Sequence, residues 1–394
     1  MTKSFMRGMS RASALTRSGK LTEATALIQS LMHGNAAPAD PPGEDSGQAN
    51  LADKDVIEGT FTPVGEAAPK PAAKPAPKRA VRSRGKSLSE TLRTIAMGGM
   101  PQMGNAQSAL PDVPEGAQLL LLSHTGTQGS RDYLLYVPAK KTKTPMPLIV
   151  MLHGCTQSPE DFATGTDMNA LAEEAGYLVA WPAQPQGANA QKCWNWFRPD
   201  DQERDRGEPA VLAGIIRDIL RDHPADAGRV YVAGLSAGGA AAAIMGAAYP
   251  DLVAAVGVHS GLPVGGAQDM MSAFSAMRSG SAGKKQANAV PTIVLHGLAD
   301  STVHPDNGTA VIAQAIKPHK GLKKVRSSGT SDGGRSYRHT RHDDKTGRSI
   351  AEHWEIDGAG HAWSGGQAGG SYTDPTGPDA SREMLRFFAQ HRQG

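Results

Sequence analysis

The sequence is poor in cysteine, in aromatic residues and in long apolar runs. Its 394 residues include only two cysteines, Cys155 and Cys193. Two cysteines exclude a disulfide framework and a metal site built on cysteine alone, so free thiols in a reducing compartment are expected. No apolar run approaches the roughly 18–20 residues needed to span a bilayer. The N-terminus, MTKSFMRGMSRASALTRSGK, is basic but has no continuous apolar stretch of the secretory kind, and a cytoplasmic location is the expectation. Charge of one sign is scarce overall, with a formal net of +3. What there is sits in the first 100 residues, which carry 14 Lys/Arg against 9 Asp/Glu.

What is present is the composition of a globular chain, 39% hydrophobic and 20% charged, long enough to bury a sizeable core. Three regions are expected. Within residues 1–34, Leu21, Ala24, Ile28 and Leu31 fall on one face of a short amphipathic helix that Gly34 stops. Residues 35–114 form a flexible linker rich in Pro, Ala and Lys/Arg, too polar to bury a core. Its basic run, Lys70 to Lys86, has no interleaved aromatic residue, which argues for a solvated spacer rather than a nucleic-acid binder. Residues 115–394 alternate short apolar strands (PLIVMLHG, LVAWPAQ, RVYVAG, VAAVGVHSG, TIVLHG, AEHWEIDG) with helices (DMNALAEEAGY, EPAVLAGIIRDILRDH, GAAAAIMGAAYP, SREMLRFFAQH). That alternation is an α/β fold with a mostly parallel sheet covered on both faces.

The informative stretch is VYVAGLSAGGAAAAIMG, residues 230–246. Gly234-Leu235-Ser236-Ala237-Gly238 lies between a strand and a helix. In that setting G-x-S-x-G makes a sharp turn that lifts the Ser236 hydroxyl off the C-terminal edge of the sheet. A serine nucleophile needs a base, and in this architecture an acid and then a histidine should follow it. Asp300 ends TIVLHGLAD, just past a strand, and His361 lies in the Gly-rich loop DGAGHAW. Asp306 is a weaker competitor for the acid; His304, His339, His342 and His353 compete with His361 but lie in a polar loop or within a strand. Ser236, Asp300 and His361 are the expected trio. The oxyanion donors should be the N–H of Ala237 and, from the loop VMLHGCTQ, that of Cys155, with His153 shaping the loop.

The segments HGCTQSPEDFATGTDMNALAEEAGYLVAWPAQ, CWNWF, GLSAGGA, GVHSGLP, HGLADSTVHPDN and GAGHAWSGG together resemble the poly(3-hydroxybutyrate) depolymerase family of esterases. These are α/β hydrolases similar to feruloyl and acetylxylan esterases, and the likeness covers roughly residues 115–392. The resemblance implies a serine esterase with Ser236, Asp300 and His361 as nucleophile, acid and base, and Cys155 and Ala237 as oxyanion donors. It also implies Trp194 and Trp196 as walls of the substrate pocket. Cys193 is placed to face Cys155; a bridge between them would require an oxidising compartment. No metal or organic cofactor is expected.

In lacking a secretory stretch, the chain looks most like the intracellular members, which act on native polymer granules. The N-terminal arm is then the element that would meet a granule surface. Two other readings compete: a feruloyl, acetyl or short-acyl esterase, and a granule- or nucleic-acid-binding protein whose hydrolase domain is only a scaffold.

Overall fold

The run MPLIVML at Met146–Leu152 is buried at every position, as expected of a strand covered on both faces. In the computed structural model, which describes residues 111–140, 143–286 and 288–393, this run is the third strand, β3, of a ten-stranded sheet. Before it come β1 (Gln118–Gly126) and β2 (Gly129–Val137). After it come α1 (Pro159–Thr166), α2 (Met168–Ala175), β4 (Leu178–Pro182), a 3-10 turn (Pro199–Gln202), α3 (Gly207–Asp222), β5 (Ala225–Leu235) and α4 (Ala237–Ala248). Then follow β6 (Ala255–His259), α5 (Met270–Ser279), β7 (Thr292–Gly297), α6 (Asp306–Ile316), β8 (Lys323–Thr330), β9 (Ser336–Asp343) and β10 (Ser349–Ile356). A two-residue pair, β11 (Trp363–Ser364) with β12 (Thr373–Asp374), and α7 (Ala380–Phe388) close the chain. The expected N-terminal helix and almost all of the linker lie outside the described residues.

The strand order is β1-β2-β4-β3-β5-β6-β7-β10-β9-β8. Strands β4, β3, β5, β6, β7 and β10 run parallel, and antiparallel strands extend the sheet at both edges. This is the mostly parallel, doubly covered α/β-hydrolase sheet that the sequence pattern implies. The alternation of side chains along a strand builds two cores. On β3, Leu148, Val150 and Leu152 join Leu212, Ile215 and Ile216 of α3 and the alanines of α4 on one face. Ile149 and Met151 join Phe162, Met168 and Phe387, from α1, α2 and α7, on the other. Among the described residues no helix is long and apolar enough to cross a membrane.

Several elements were not anticipated. Ser158 caps α1 by accepting the Asp161 N–H, with Pro159 in the first turn, a start signal present in the sequence as S-P-E-D. Strands β8 and β9 place His339 and His342 in a sheet rather than in the expected polar loop. Lys323, Lys324 and Arg326 are exposed on β8, an edge strand whose charge discourages pairing with another chain.

Glu352 of β10 is fully buried. It accepts from His339 Nε2 at 2.9 Å and from both terminal nitrogens of Arg386, tying α7 to the sheet. Burial alone would raise its pKa, but the hydrogen bonds from His339 and Arg386 win and hold it at about 2, below the ordinary 4.5. A carboxyl depressed in the folded state adds stability above its unfolded pKa and loses it as pH falls through the folded value. The window is therefore about pH 4.5 down to 2, and the amount is roughly 3 kcal/mol. Melting temperature followed from pH 6 to 2 is expected to fall less steeply in Glu352→Gln than in the wild type, from a lower starting value at pH 6.

Candidate active site

β5 delivers Ser236 to the C-terminal edge of the sheet, and α4 begins one residue later. Ser236 has φ 58° and ψ −118°, a conformation that costs a non-glycine residue on the order of 1–3 kcal/mol and persists only where its surroundings enforce it. Here its N–H donates to His259 O at 2.9 Å and its carbonyl accepts from Ala240 N at 3.0 Å. The flanking glycines are required by close approach. A Cβ on Gly238 would stand 2.0 Å from Leu152 O, and one on Gly234 would stand 2.5 Å from the same oxygen. Ala237 is the first residue of α4, so its N–H has no acceptor within the helix.

Asp300 lies three residues beyond β7, with its side chain fully buried. Its Oδ1 accepts the N–H groups of Thr302 and Val303 at 2.9 and 2.8 Å. Its Oδ2 stands 2.7 Å from His361 Nδ1, so His361 donates from Nδ1 and leaves Nε2 as an acceptor. Burial opposes ionisation of Asp300, yet hydrogen bonds from His296, His361 and the Val303 N–H hold its carboxyl well below the usual carboxylate range. Asp306 instead pairs with His304 at the exposed start of α6, and His339, His342 and His353 sit on β9 and β10.

Sequence reasoning missed two positioning histidines. His296, four residues before Asp300, is fully buried. Its Nε2 donates to Val303 O at 2.9 Å and stands 3.5 Å from Asp300 Oδ2, the same oxygen that meets His361. The signal was there, in a polar residue closing the apolar run TIVLH. His259 stacks on Trp363 with centroids 5.0 Å apart, and its Nε2 accepts the Ser364 N–H at 3.0 Å, three residues past His361. Burial pushes the His259 imidazole down to about 3, so it stays neutral and keeps that acceptor.

The loop after β3 runs beside the serine: a Cβ on Gly154 would lie 3.7 Å from the Ser236 Cβ. His153 shapes this loop as expected, with Nδ1 2.7 Å from Gly154 O and Nε2 accepting Gln184 N–H at 3.1 Å. Burial lowers its pKa to about 4, which keeps the ring neutral and in one tautomer. Two expectations are corrected here. Cys155 and Cys193 are not free thiols but a disulfide, with S–S 2.02 Å. The bonds from Gln184 N to His153 and from Thr156 N to Gln191 O bring their two segments alongside. Trp194 and Trp196, expected as pocket walls, lie in the buried core. Trp194 is fully buried and donates from Nε1 to His153 O at 3.1 Å. Trp196 is 6% exposed and meets Phe197 edge to face. Trp194 thus supports the loop from within the core. Beneath them, buried Glu208 accepts from Asn195 N, Asn195 Nδ2 and Gln184 Nε2, fixing the segment that carries Cys193.

Residues 131–338 match the family described as Esterase PHB depolymerase. The chain is 32% identical over 260 residues to a poly(3-hydroxyalkanoate) depolymerase C of Paucimonas lemoignei, covering 62% of this chain and 61% of that protein. It is also 32% identical over 132 residues to a feruloyl esterase B of Thermothelomyces thermophilus, covering 33% and 44%. In both cases the chain spans less than two thirds of the relative's length. An acetyl xylan esterase from Aspergillus awamori superposes with a TM-score of 0.54 at 18% identity, over 69% of this chain and 99% of that one, a likeness of fold. With the family match covering more than half of its length, the chain belongs to the Esterase PHB depolymerase family.

Proposed function

We propose that this protein is a serine carboxylic-ester hydrolase acting on poly(3-hydroxybutyrate) or its oligomers. The observation that carries the reading is the 2.7 Å contact between Asp300 Oδ2 and His361 Nδ1, on the sheet edge where Ser236 holds its strained turn. In the cycle, Nε2 of His361 takes the Ser236 proton as Oγ attacks the ester carbonyl. The N–H groups of Ala237 and Cys155 stabilise the oxyanion, and the dipole of α4 adds to them. His361 then protonates the leaving alcohol, and a water that gives its proton to the same nitrogen releases the acid. No step calls for a metal or an organic cofactor.

The polyester substrate is supported by the family and by the depolymerase relative; the feruloyl esterase relative supports a small aromatic ester as the alternative. The deciding experiment is release of 3-hydroxybutyrate from amorphous polymer granules, with Ser236→Ala in parallel. Release that depends on Ser236 establishes the depolymerase. Cleavage of a chromogenic ester without release from granules leaves a small-ester hydrolase.

The place of action is part of the proposal. The Cys155–Cys193 bond weighs toward an oxidising compartment and against the cytoplasm, because such bonds persist where thiols are not kept reduced. The amphipathic segment and basic linker of residues 1–90 are proposed to meet the surface of the polymer, in whichever compartment it lies. Deleting them is expected to preserve hydrolysis of a chromogenic ester and to lower the fraction of protein that sediments with granules; unchanged sedimentation overturns that role.

A further inference from the structure

With Trp194 and Trp196 in the core, neither supplies the aromatic surface expected of the site. Tyr372 supplies one. It is 47% exposed and is held from two directions. Its carbonyl accepts the Trp363 N–H at 2.6 Å, two residues past His361. Its phenolic oxygen lies 3.3 Å from Thr156 Oγ1, next to Cys155. Tyr372 therefore bridges the loop that carries the proposed base, His361, and the loop that carries the proposed oxyanion donor, Cys155.

The backbone holds the ring firmly. Ser371, just before it, donates its N–H to Asp161 Oδ1 at 2.9 Å, and its carbonyl accepts from Gln157 Nε2 at 3.1 Å. Gln157 Oε1 in turn accepts the Gly154 N–H at 2.9 Å. Tyr372 has φ 52° and Thr156 has φ 67°. With Ser236 (φ 58°) and Ser260 (φ 47°), left-handed non-glycine residues gather around this site, and strain retained in this way marks functional positions.

The hydrogen-bond pattern gives the ring a polarity. Thr156 spends its only proton on Cys155 O, at 2.5 Å. Between Thr156 and Tyr372 the phenol is then the donor, and the lone pairs of its oxygen face outward as an acceptor. We infer that Tyr372 is the specificity-determining contact for a hydroxyacyl chain. Its ring covers the aliphatic backbone of the substrate, and its oxygen accepts the chain's free hydroxyl group. This rests on the ester-hydrolase reading and deepens it, by naming hydroxyl-terminated oligoesters as the preferred class.

The test compares a hydroxyl-terminated 3-hydroxybutyrate trimer, the same trimer O-acetylated, and p-nitrophenyl acetate. The ratio of kcat/KM for the free trimer to that for p-nitrophenyl acetate is expected to fall at least tenfold in Tyr372→Ala, mainly through KM. In Tyr372→Phe, which keeps the ring, it should fall about threefold, in keeping with one lost hydrogen bond, and only for the free trimer. Equal losses on the free and acetylated trimers in Tyr372→Phe, or an unchanged ratio in Tyr372→Ala, overturn the inference. Wild-type protein that cleaves p-nitrophenyl acetate but neither trimer overturns it while leaving the esterase reading intact. Wild-type protein that cleaves none of the three overturns both.

Discussion

Ser236→Ala is expected to lower kcat for ester hydrolysis by roughly 10⁵–10⁶ while leaving KM within a few-fold. The proposed oxyanion donors belong to the backbone, so alanine leaves them in place and a small residual rate is expected to survive. Folding should be intact, because the Ser236 turn is held by bonds from its own backbone to His259 O and Ala240 N, not by its hydroxyl. The check is steady-state hydrolysis of p-nitrophenyl acetate alongside a mass measurement after treatment with a fluorophosphonate. The wild type should gain one phosphonyl adduct on Ser236 and the variant none. Full activity in a folded variant would remove Ser236 from the chemistry.

The second large effect is expected at the acid. In Asp300→Asn the two backbone donors, Thr302 N–H and Val303 N–H, still require an acceptor where Oδ1 now stands. The amide oxygen must take that position, which turns the NH₂ toward His361 Nδ1. His361 is then forced to accept at Nδ1 and to carry its proton on Nε2, the tautomer that cannot receive a proton from Ser236. A loss of about 10³–10⁴ in kcat is expected, with little change in KM. Asp300→Ala removes the enforced tautomer and should be no worse than the asparagine variant; equal losses in the two would show that the missing charge, not the wrong tautomer, carries the effect. Because the hydrogen bonds around Asp300 hold its carboxyl ionised far below neutrality, acid inactivation above pH 4 does not arise from protonation of Asp300.

The strands and helices that could be read from sequence are those whose packing leaves a periodic trace. β3, β4 and β6 are buried throughout and mostly apolar, and α3 repeats its apolar residues at helical spacing. The elements that were missed lack such a trace. β8 lies at an edge with one partner, so it needs pairing but little burial. α6 begins with Asp-Asn-Gly, residues that more often mark turns. The site divides the same way. Ser236, Asp300 and His361 each follow a strand, a position that sequence context can identify. Whether an aromatic residue faces the cleft or the core depends on which side of a loop it leaves, and the WNW segment gives no sign of that. Tyr372 escaped notice because it stands in a stretch of Gly, Ser and Thr with no regular pattern.

The Cys155–Cys193 bond also changes what kind of object the polypeptide is. It turns the residues between these cysteines into a closed covalent ring, with α1, α2 and β4 as parts of its circumference. Closing a loop of sequence separation 38 restricts the unfolded chain by about 4 kcal/mol in the chain-entropy model. It also makes the molecule tolerant of severance. A protease that cuts at the exposed turn Pro185–Gly187 opens the ring without parting the chain. The fragments stay joined through sulfur, β4 stays between its neighbours, and the cut is visible as two pieces only after reduction.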